Sequence, residues 1–447
     1  MLKPSTLNYQ QSTSPSGSAL LPVCKDPART VQPWTPPSHA GKRRGRNPLH
    51  LTSPPSYAPT MSRHRSKAGL FAFLLPVLVG HCMADGLATW YQRDSGTTNQ
   101  LNDILYSHGA FLAVGNSGSV LVSTNGIDWQ SRTSGTTSNL YAVTRGTDRF
   151  VAVSQGLVLT SSDGLTWTNF HVPASSLSGV SWGNGLYVAV GASGTVLTSP
   201  DGLAWARQNS GTTTQLSDVT WGLGQFVAVG GPYGIVLTST DGTNWINRTP
   251  TFNPTALRAV VFSDNQFVAV GGSVPVASGG LIISSSDGLS WERQTSGTST
   301  NNYSDVAYGN GAFVAVGDTQ PVGPWLSLLI ISSLDGAAWT WRLTSTTASL
   351  AGVAYGNGSF VAVGSGGSIL QSGPVFRLVP AGGLLPEGFR FALTGEAGHS
   401  FQILTATNPA GAPWDVLCAI TNSTGTTPVL DPAATNTPAR FYRAVSQ

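Results

Sequence analysis

The chain has 447 residues, 40% of them hydrophobic and only 10% charged, with 53 glycines and 28 prolines. That apolar content excludes a wholly disordered chain, and so much glycine argues for many short strands and tight turns rather than long helices. The formal charge of +3 hides a division: residues 1–84 hold every lysine, whereas from 85 onward thirteen arginines face nineteen acids, about −6, which excludes nucleic acid as the partner of that part.

Residues 1–60 are rich in proline and serine and contain the basic run Gly41-Lys-Arg-Arg-Gly-Arg46. The run can be read as a nuclear or nucleic-acid patch, but it stands just before a second start signal. Met61 opens a basic stretch through Lys67, an apolar run follows from Ala68 to Gly80 that is too short to span a bilayer, and Cys82-Met-Ala84 supplies small residues for cleavage. This is the pattern of a secretory signal peptide over 61–84. Translation from Met61 is the simplest reading, with 1–60 a mis-assigned extension or a disordered leader. The alternative, lipid attachment at Cys82, is disfavoured by His81 directly before it. Loss of Cys24 and Cys82 with these segments leaves Cys418 alone, so no intrachain disulfide is expected. The mature protein is expected to be secreted, periplasmic or at the cell surface, with no integral membrane segment.

Repetition dominates the rest. Phe-Val-Ala-Val-Gly and its variants start at Phe111, Phe150, Tyr187, Phe226, Phe267, Phe313 and Phe360. A second string, Ser-x-Asp-Gly-x-x-Trp, ends at Trp129 (with Asn125 for Asp), Trp167, Trp205, Trp245, Trp291 and Trp339, at steps of 38 to 48 residues. Each unit predicts four short strands, and Asp-Gly between apolar runs predicts a type I′ hairpin. The seventh unit stops at Ser372-Gly-Pro374 without its tryptophan strand, while an orphan Trp90-Tyr-Gln-Arg93 precedes the first unit. Lending that strand to the last unit predicts an all-β fold, a closed seven-bladed β-propeller over 85–373, with its open edges removed. Alternating segments from Pro374 to the end predict a small C-terminal β-sandwich over 374–447.

The six boxes resemble the Asp-box (BNR) repeats of sialidases and of photosystem II assembly-factor-like propellers, over all of 85–373, in a form one residue shorter between Asp and Gly. The resemblance implies that Asp163, Trp167, Asp201, Trp205, Asp241, Trp245, Asp287, Trp291, Asp335 and Trp339 are structural. The Ser and Asp side chains would bond turn amides and the Trp would cap the packing between blades. The stretch from Asp431 to Ala444 is similar to C-terminal β modules of large secreted bacterial proteins.

A sialidase-type site would require converging arginines and a tyrosine nucleophile paired with glutamate. Arg93, Arg132, Arg207, Arg248, Arg293 and Arg342 instead repeat in the outermost strand, leaving only Arg145, Arg149 and Arg258 out of pattern. Glu292 is the sole propeller glutamate, and it follows Trp291 in an outer strand. His108, His171 and His399 show no metal spacing, and no nucleophile elbow or phosphate loop occurs. No catalytic residue, metal or cofactor is therefore expected. Asp103, Asp218 and Asp305 recur at the start of the innermost strand, where other units have Ala142, Gly179, Ala259 and Gly352; they are candidates for turn capping or for binding a cation or polar ligand. Longer loops in units five and six, with Gly231-Pro-Tyr233-Gly of unit four at the same place, put Tyr233, Asp318, Gln320 and Trp325 on one raised sector of the rim. The favoured function is a monomeric, non-catalytic binding or scaffold propeller for a protein or glycan. An extracellular glycan-active hydrolase or lyase and an assembly-factor-like propeller are the alternatives.

Overall fold

The computed structural model describes residues 85–446, apart from 175, 253–254, 273–279, 296–300, 320–329, 343, 345, 347, 396, 407–413 and 437–439, together with the short strands Tyr9–Gln10 and Cys82–Met83. Its strands form nine four-stranded antiparallel sheets. Seven follow one another along the chain, with innermost strands Leu101–Ser107, Leu140–Arg145, Leu177–Gly183, Leu216–Gly222, Leu257–Ser263, Asn301–Gly309 and Leu350–Gly356. In the first six the strands lie side by side in chain order. The seventh runs Leu350–Gly356, Ser359–Gly364, Ile369–Ser372 and then the distant Trp90–Arg93, paired from Trp90 opposite Ser372 to Arg93 opposite Ile369.

Burial follows each strand's place in its sheet. The Phe-Val-Ala-Val strand is second from the centre and covered on both faces, which explains its unbroken apolar run in place of alternation; Phe111, Phe226, Phe267, Phe313 and Phe360 are fully buried. The outermost strands, such as Gln130–Thr133, are largely exposed and polar. Each hydrophobic cluster of this region straddles two sheets: Val151 and Val153 of the second meet Ala189 and Leu197 of the third. Val361 and Val363 of the seventh likewise meet Phe111 and Leu121 of the first.

The predicted type I′ geometry lies elsewhere. In the Asp-Gly boxes only the glycine is left-handed, as at Gly164 (φ 75°). Two consecutive positive φ values occur instead in the hairpin between the first and second strands, at Asn184 (50°) and Gly185 (75°) and at Asn357 (47°) and Gly358 (70°). The box turn is held by side chains, so its aspartate keeps an ordinary conformation. In the first five sheets the outermost strand starts later than predicted, as in the third, where it is Ala206–Gln208, after Trp205; in the sixth and seventh it starts at the tryptophan, as Trp339–Arg342 and Trp90–Arg93.

At the end of the third sheet's innermost strand, a Cβ on Gly183 would run into the Trp221 indole of the fourth sheet. Glycine there lets the ring lie against the neighbouring backbone, and Trp221 in turn meets Phe226 edge-on at 4.5 Å.

Beyond Ser372 the chain builds two further sheets. One contains Phe376–Leu385, Gly388–Gly395 and Thr426–Asp431, with Cys82–Met83 on its edge; the other contains Ser400–Ala406, Asp415–Thr421 and Phe441–Ser446, with Tyr9–Gln10 on its edge. Phe376, Phe389, Phe391, Phe401, Ile403 and Tyr442 form their common core. The fully buried Asp431 accepts the Tyr442 hydroxyl at 2.9 Å and the Ala433 amide at 3.0 Å, and pairs with Arg440 at 2.7 Å. Burial and the Asp431 charge push the Tyr442 phenol well above its ordinary range. The junction is bonded as well: the Val375 amide donates to Gly358 O at 2.7 Å and Asn310 Nδ2 to Val375 O at 2.8 Å.

Candidate functional site

Three groups of residues stand out by chemistry: the box turns at the periphery, three aspartates on the innermost strands, and the rim loops.

The boxes repeat one hydrogen-bond pattern. In the third sheet Ser199 Oγ donates to Asp201 Oδ1 (3.0 Å) and accepts the buried Gly202 amide (2.8 Å), while Asp201 Oδ1 accepts the amides of Leu203 (2.9 Å) and Ala204 (3.1 Å). Trp205 Nε1 closes the turn by donating to Gly202 O at 3.1 Å. Asp163, Asp241, Asp287 and Asp335 accept the same two amides in their own turns. The Thr166 and Leu165 amides hold the Asp163 carboxyl down at about 2. Asp201, Asp241 and Asp287 are lowered by the same kind of bond, and so is Asp335, although burial opposes the shift there. These carboxylates are engaged as turn acceptors. The box rings sit over the first aromatic of the second strand: Tyr187–Trp205, Phe267–Trp291 and Phe313–Trp339 have centroids 6.2 to 6.4 Å apart. Trp167, Trp205 and Trp245 pack into clusters shared by two sheets.

Asp103, Asp218 and Asp305 occupy one position beside a β-bulge in the first, fourth and sixth innermost strands. Each accepts two amides. Asp103 takes Ile104 N with Oδ1 and Val143 N of the second sheet with Oδ2, both at 2.7 Å. Asp218 takes Val219 N (2.8 Å) and Val260 N of the fifth sheet (2.9 Å). Asp305 takes Val306 N and Val353 N of the seventh, both at 2.7 Å. Each of the three aspartates is partly exposed. Burial, the larger effect, raises Asp103 to about 7 against the lowering from its two amides, with the Asp218 charge adding to the rise. Burial raises Asp218 to about 6. Asp305 lies well above the usual range through burial and the charges of Asp103 and Asp218. Asp103 is thus raised further by the charge of Asp218, and Asp305 by the charges of both others. Among the described residues no three metal-ligating side chains come together.

On the rim, Tyr233 is 80% exposed in the turn between the second and third strands of the fourth sheet. Asp318 belongs to the sixth sheet, with the fifth standing between, and accepts Ser349 Oγ at 2.9 Å; it ties its sheet to the seventh rather than standing free. Gln320 and Trp325 lie outside the described residues. Of the out-of-pattern arginines, Arg145 lies over the Phe150 ring at 4.3 Å and bonds Ser162 O, and Arg258 is exposed.

Two features escaped the sequence reading. One is a shallow groove of about 790 Å³ on the first sheet, lined by Asn99, Ser117, Ser119, Ser131, Arg132 and Thr136 among others; the recurring Ser-Gly-Thr-Thr loop was its only signal. The other is a set of glutamine latches between sheets. Gln225 Nε2 donates to Asp287 O (2.6 Å), Gln266 Nε2 to Asp335 O (2.9 Å), and Gln371 Nε2 to Asn125 O (3.0 Å), which joins the seventh sheet to the first. Among the described residues no helix is long and apolar enough to cross a membrane.

This architecture is that of a β-propeller. YCF48 from Cyanidioschyzon merolae aligns with a TM-score of 0.51 and 17% identity, covering 64% of this chain and 99% of that one. YCF48 bound to D1 peptide aligns with the same score and identity over 63% and 94%. A catalytically inactive virginiamycin B lyase from Staphylococcus aureus with quinupristin aligns with a TM-score of 0.56 and 10% identity over 64% and 99%. At these identities the likeness is one of fold. No family model and no curated protein matches the sequence.

Proposed function

We propose that the chain is an exported binding or scaffold protein: a signal peptide over 61–84, a closed ring of seven blades over 85–373 built on Asp-box turns, and a C-terminal β-sandwich module over 374–447. The ring reading is supported by the Trp90–Arg93 strand in the seventh sheet and by the cluster shared between the seventh sheet and the first. The molecule acts as a monomer and grips a protein segment through its rim. The observation that carries this is Tyr233, a large aromatic 80% exposed at a turn tip, where an amphipathic ring supplies contact area at low entropic cost. The box and inner-strand carboxylates accept backbone amides, which favours binding over hydrolysis. A solved propeller of the same fold is bound to a peptide, and this favours a protein segment over a glycan as the ligand.

The test is retention of the full chain on an immobilised peptide array and a parallel glycan array, with glycan mass read as well. Peptide retention that falls at least about tenfold in Tyr233→Ala, while the protein stays folded, supports the reading. Retention on glycans alone, glycan mass loss, or peptide retention indifferent to Tyr233 refutes it; mass loss would establish a glycan-active enzyme.

A further inference from the structure

The outermost strands carry a donor at one repeated position. Three residues after the tryptophan stand Arg93, Arg132, Gln208, Arg248, Gln294 and Arg342, with Phe170 in the second sheet. In four sheets this donor is tied to a side chain of the adjoining third strand. Arg93 Nε donates to Gln371 Oε1 at 3.0 Å, and Gln208 Nε2, Gln294 Nε2 and Arg342 Nε donate to the hydroxyls of Thr198, Ser284 and Ser332, each at 2.8 Å. The first sheet has Val122 where those acceptors stand. Arg132 Nε is accordingly enclosed without a partner, while Nη2 donates to the exposed, neutral Gln130 Oε1 at 2.6 Å. Arg248 Nε is unpartnered as well, although Thr238 holds the acceptor's place in the fourth sheet.

The groove of about 790 Å³ on the first sheet is lined by this arginine. It opens where the second strand turns into the third, the end at which Tyr233 stands in the fourth sheet. Among the described residues lining it, Arg132 is the one charged side chain and Leu121 the one apolar side chain; the others are hydroxyls, glycines and Asn99. The Thr97 and Thr136 hydroxyls accept the Asn99 and Ser138 amides at 3.1 Å, which leaves their O–H groups to donate. At Thr97 the groove meets a smaller one of about 300 Å³ on the seventh sheet, lined by Arg93, Asp94 and Ser368 among others. The acid there, Asp94, accepts the Gly96 amide at 2.9 Å. The lining is therefore rich in donors and holds one uncompensated cation. The charge of about −6 on residues 85–447 is screened beyond roughly 10 Å in ordinary salt, so the groove's own groups set its preference.

Resting on the reading that the ligand is a protein segment, we propose that this groove binds an acidic residue of that segment, its carboxylate taken by Arg132 and by the hydroxyls of Thr97 and Thr136. Turning the guanidinium from its enclosed place into the groove removes a buried, unmade donor. It also gives Arg132 an ionised acceptor, the stronger kind of hydrogen bond. Arg93, tied to Gln371, would have to break a bond to do the same. Val122 is thus the departure from the repeat that frees one arginine for a ligand.

The test is fluorescence anisotropy of dye-labelled hexaglutamate titrated with the full chain, with hexaglutamine and hexagalacturonate as comparisons. Hexaglutamate should bind and hexaglutamine should not. Arg132→Gln, which places there the residue the chain carries at Gln208 and Gln294, should weaken binding at least about tenfold. Val122→Ser keeps the charge and supplies the missing acceptor, so it should weaken binding about threefold by tying the guanidinium to the sheet. A purely long-range role for the charge would leave that variant at wild-type affinity. Arg248→Gln, on the fourth sheet, should change binding by less than about twofold. Hexaglutamate offers no apolar side chain to the Tyr233 ring, so the result stands whatever Tyr233→Ala does on the peptide array. The proposal is overturned by absent hexaglutamate binding, by equal binding of hexaglutamine, or by binding of hexagalacturonate alone. Undiminished affinity in Arg132→Gln or Val122→Ser, or an equal loss in Arg248→Gln, overturns it too.

Discussion

Within each box turn the serine should matter more than the aspartate. Ser199 is fully buried, and its hydroxyl is the acceptor for the buried Gly202 amide at 2.8 Å. Asp201 accepts two amides that lie at the surface, where water can replace a lost carboxylate. Ser199→Ala leaves a buried donor unmade, costing about 1–3 kcal/mol, whereas Asp201→Ala resembles the loss of an exposed cap, typically about 1 kcal/mol and less where water enters. Native-state hydrogen exchange, read on a peptide spanning 196–208, isolates the effect from the rest of the molecule. Ser199→Ala should speed exchange roughly 5- to 150-fold, the range set by that energy at about 1.4 kcal/mol per factor of ten, and Asp201→Ala should do so by less. A larger effect from the aspartate, or less than about a twofold change from the serine, would refute the assignment of the turn's stability to the buried bond.

Two further outcomes follow from packing. Gly183→Ala drives a methyl group into the Trp221 indole and should cost about 1–3 kcal/mol by overpacking, seen as a lower denaturation midpoint; an unchanged midpoint would mean that the ring has room to move. Asp431→Asn leaves the Arg440 charge without its partner in the C-terminal module, a loss of about 3–5 kcal/mol. It should melt the 374–447 strands while the amides of the seven repeating sheets keep their protection.

The repeats were legible because each strand has a fixed place between neighbours. Phe-Val-Ala-Val is apolar throughout since both its faces are covered, and the displaced Trp90–Arg93 strand was visible because Trp90 and Arg93 reproduce the spacing of Trp129 and Arg132. The partners of Asp103, Asp218 and Asp305 were not legible. They are backbone amides of a neighbouring unit 40 to 48 positions away, and an amide has no signature in a sequence. The box turn misled for a related reason: Asp-Gly is the usual I′ pair, yet Ser161 and Asp163 bond the turn from their side chains and leave only Gly164 left-handed. Thr426–Asp431 carries little apolar pattern, because Thr426, Pro428 and Leu430 are exposed. On the rim, Tyr233 stands out among the described residues, and Asp318 proves to be a tie to Ser349.

The borrowed strand also sets the timetable of synthesis. Arg93 and the Gln371 side chain that receives it are 278 positions apart. At about 5–20 residues per second, Trp90–Arg93 leaves the ribosome roughly a quarter of a minute to a minute before its partner exists. For that interval it is an unpaired strand carrying two large aromatics, exposed to any other strand edge nearby. Arg93 and Asp94 beside it supply the charge that discourages such pairing. A chain cut short before Ile369 would keep most of its sheets and still have nowhere to put its first strand.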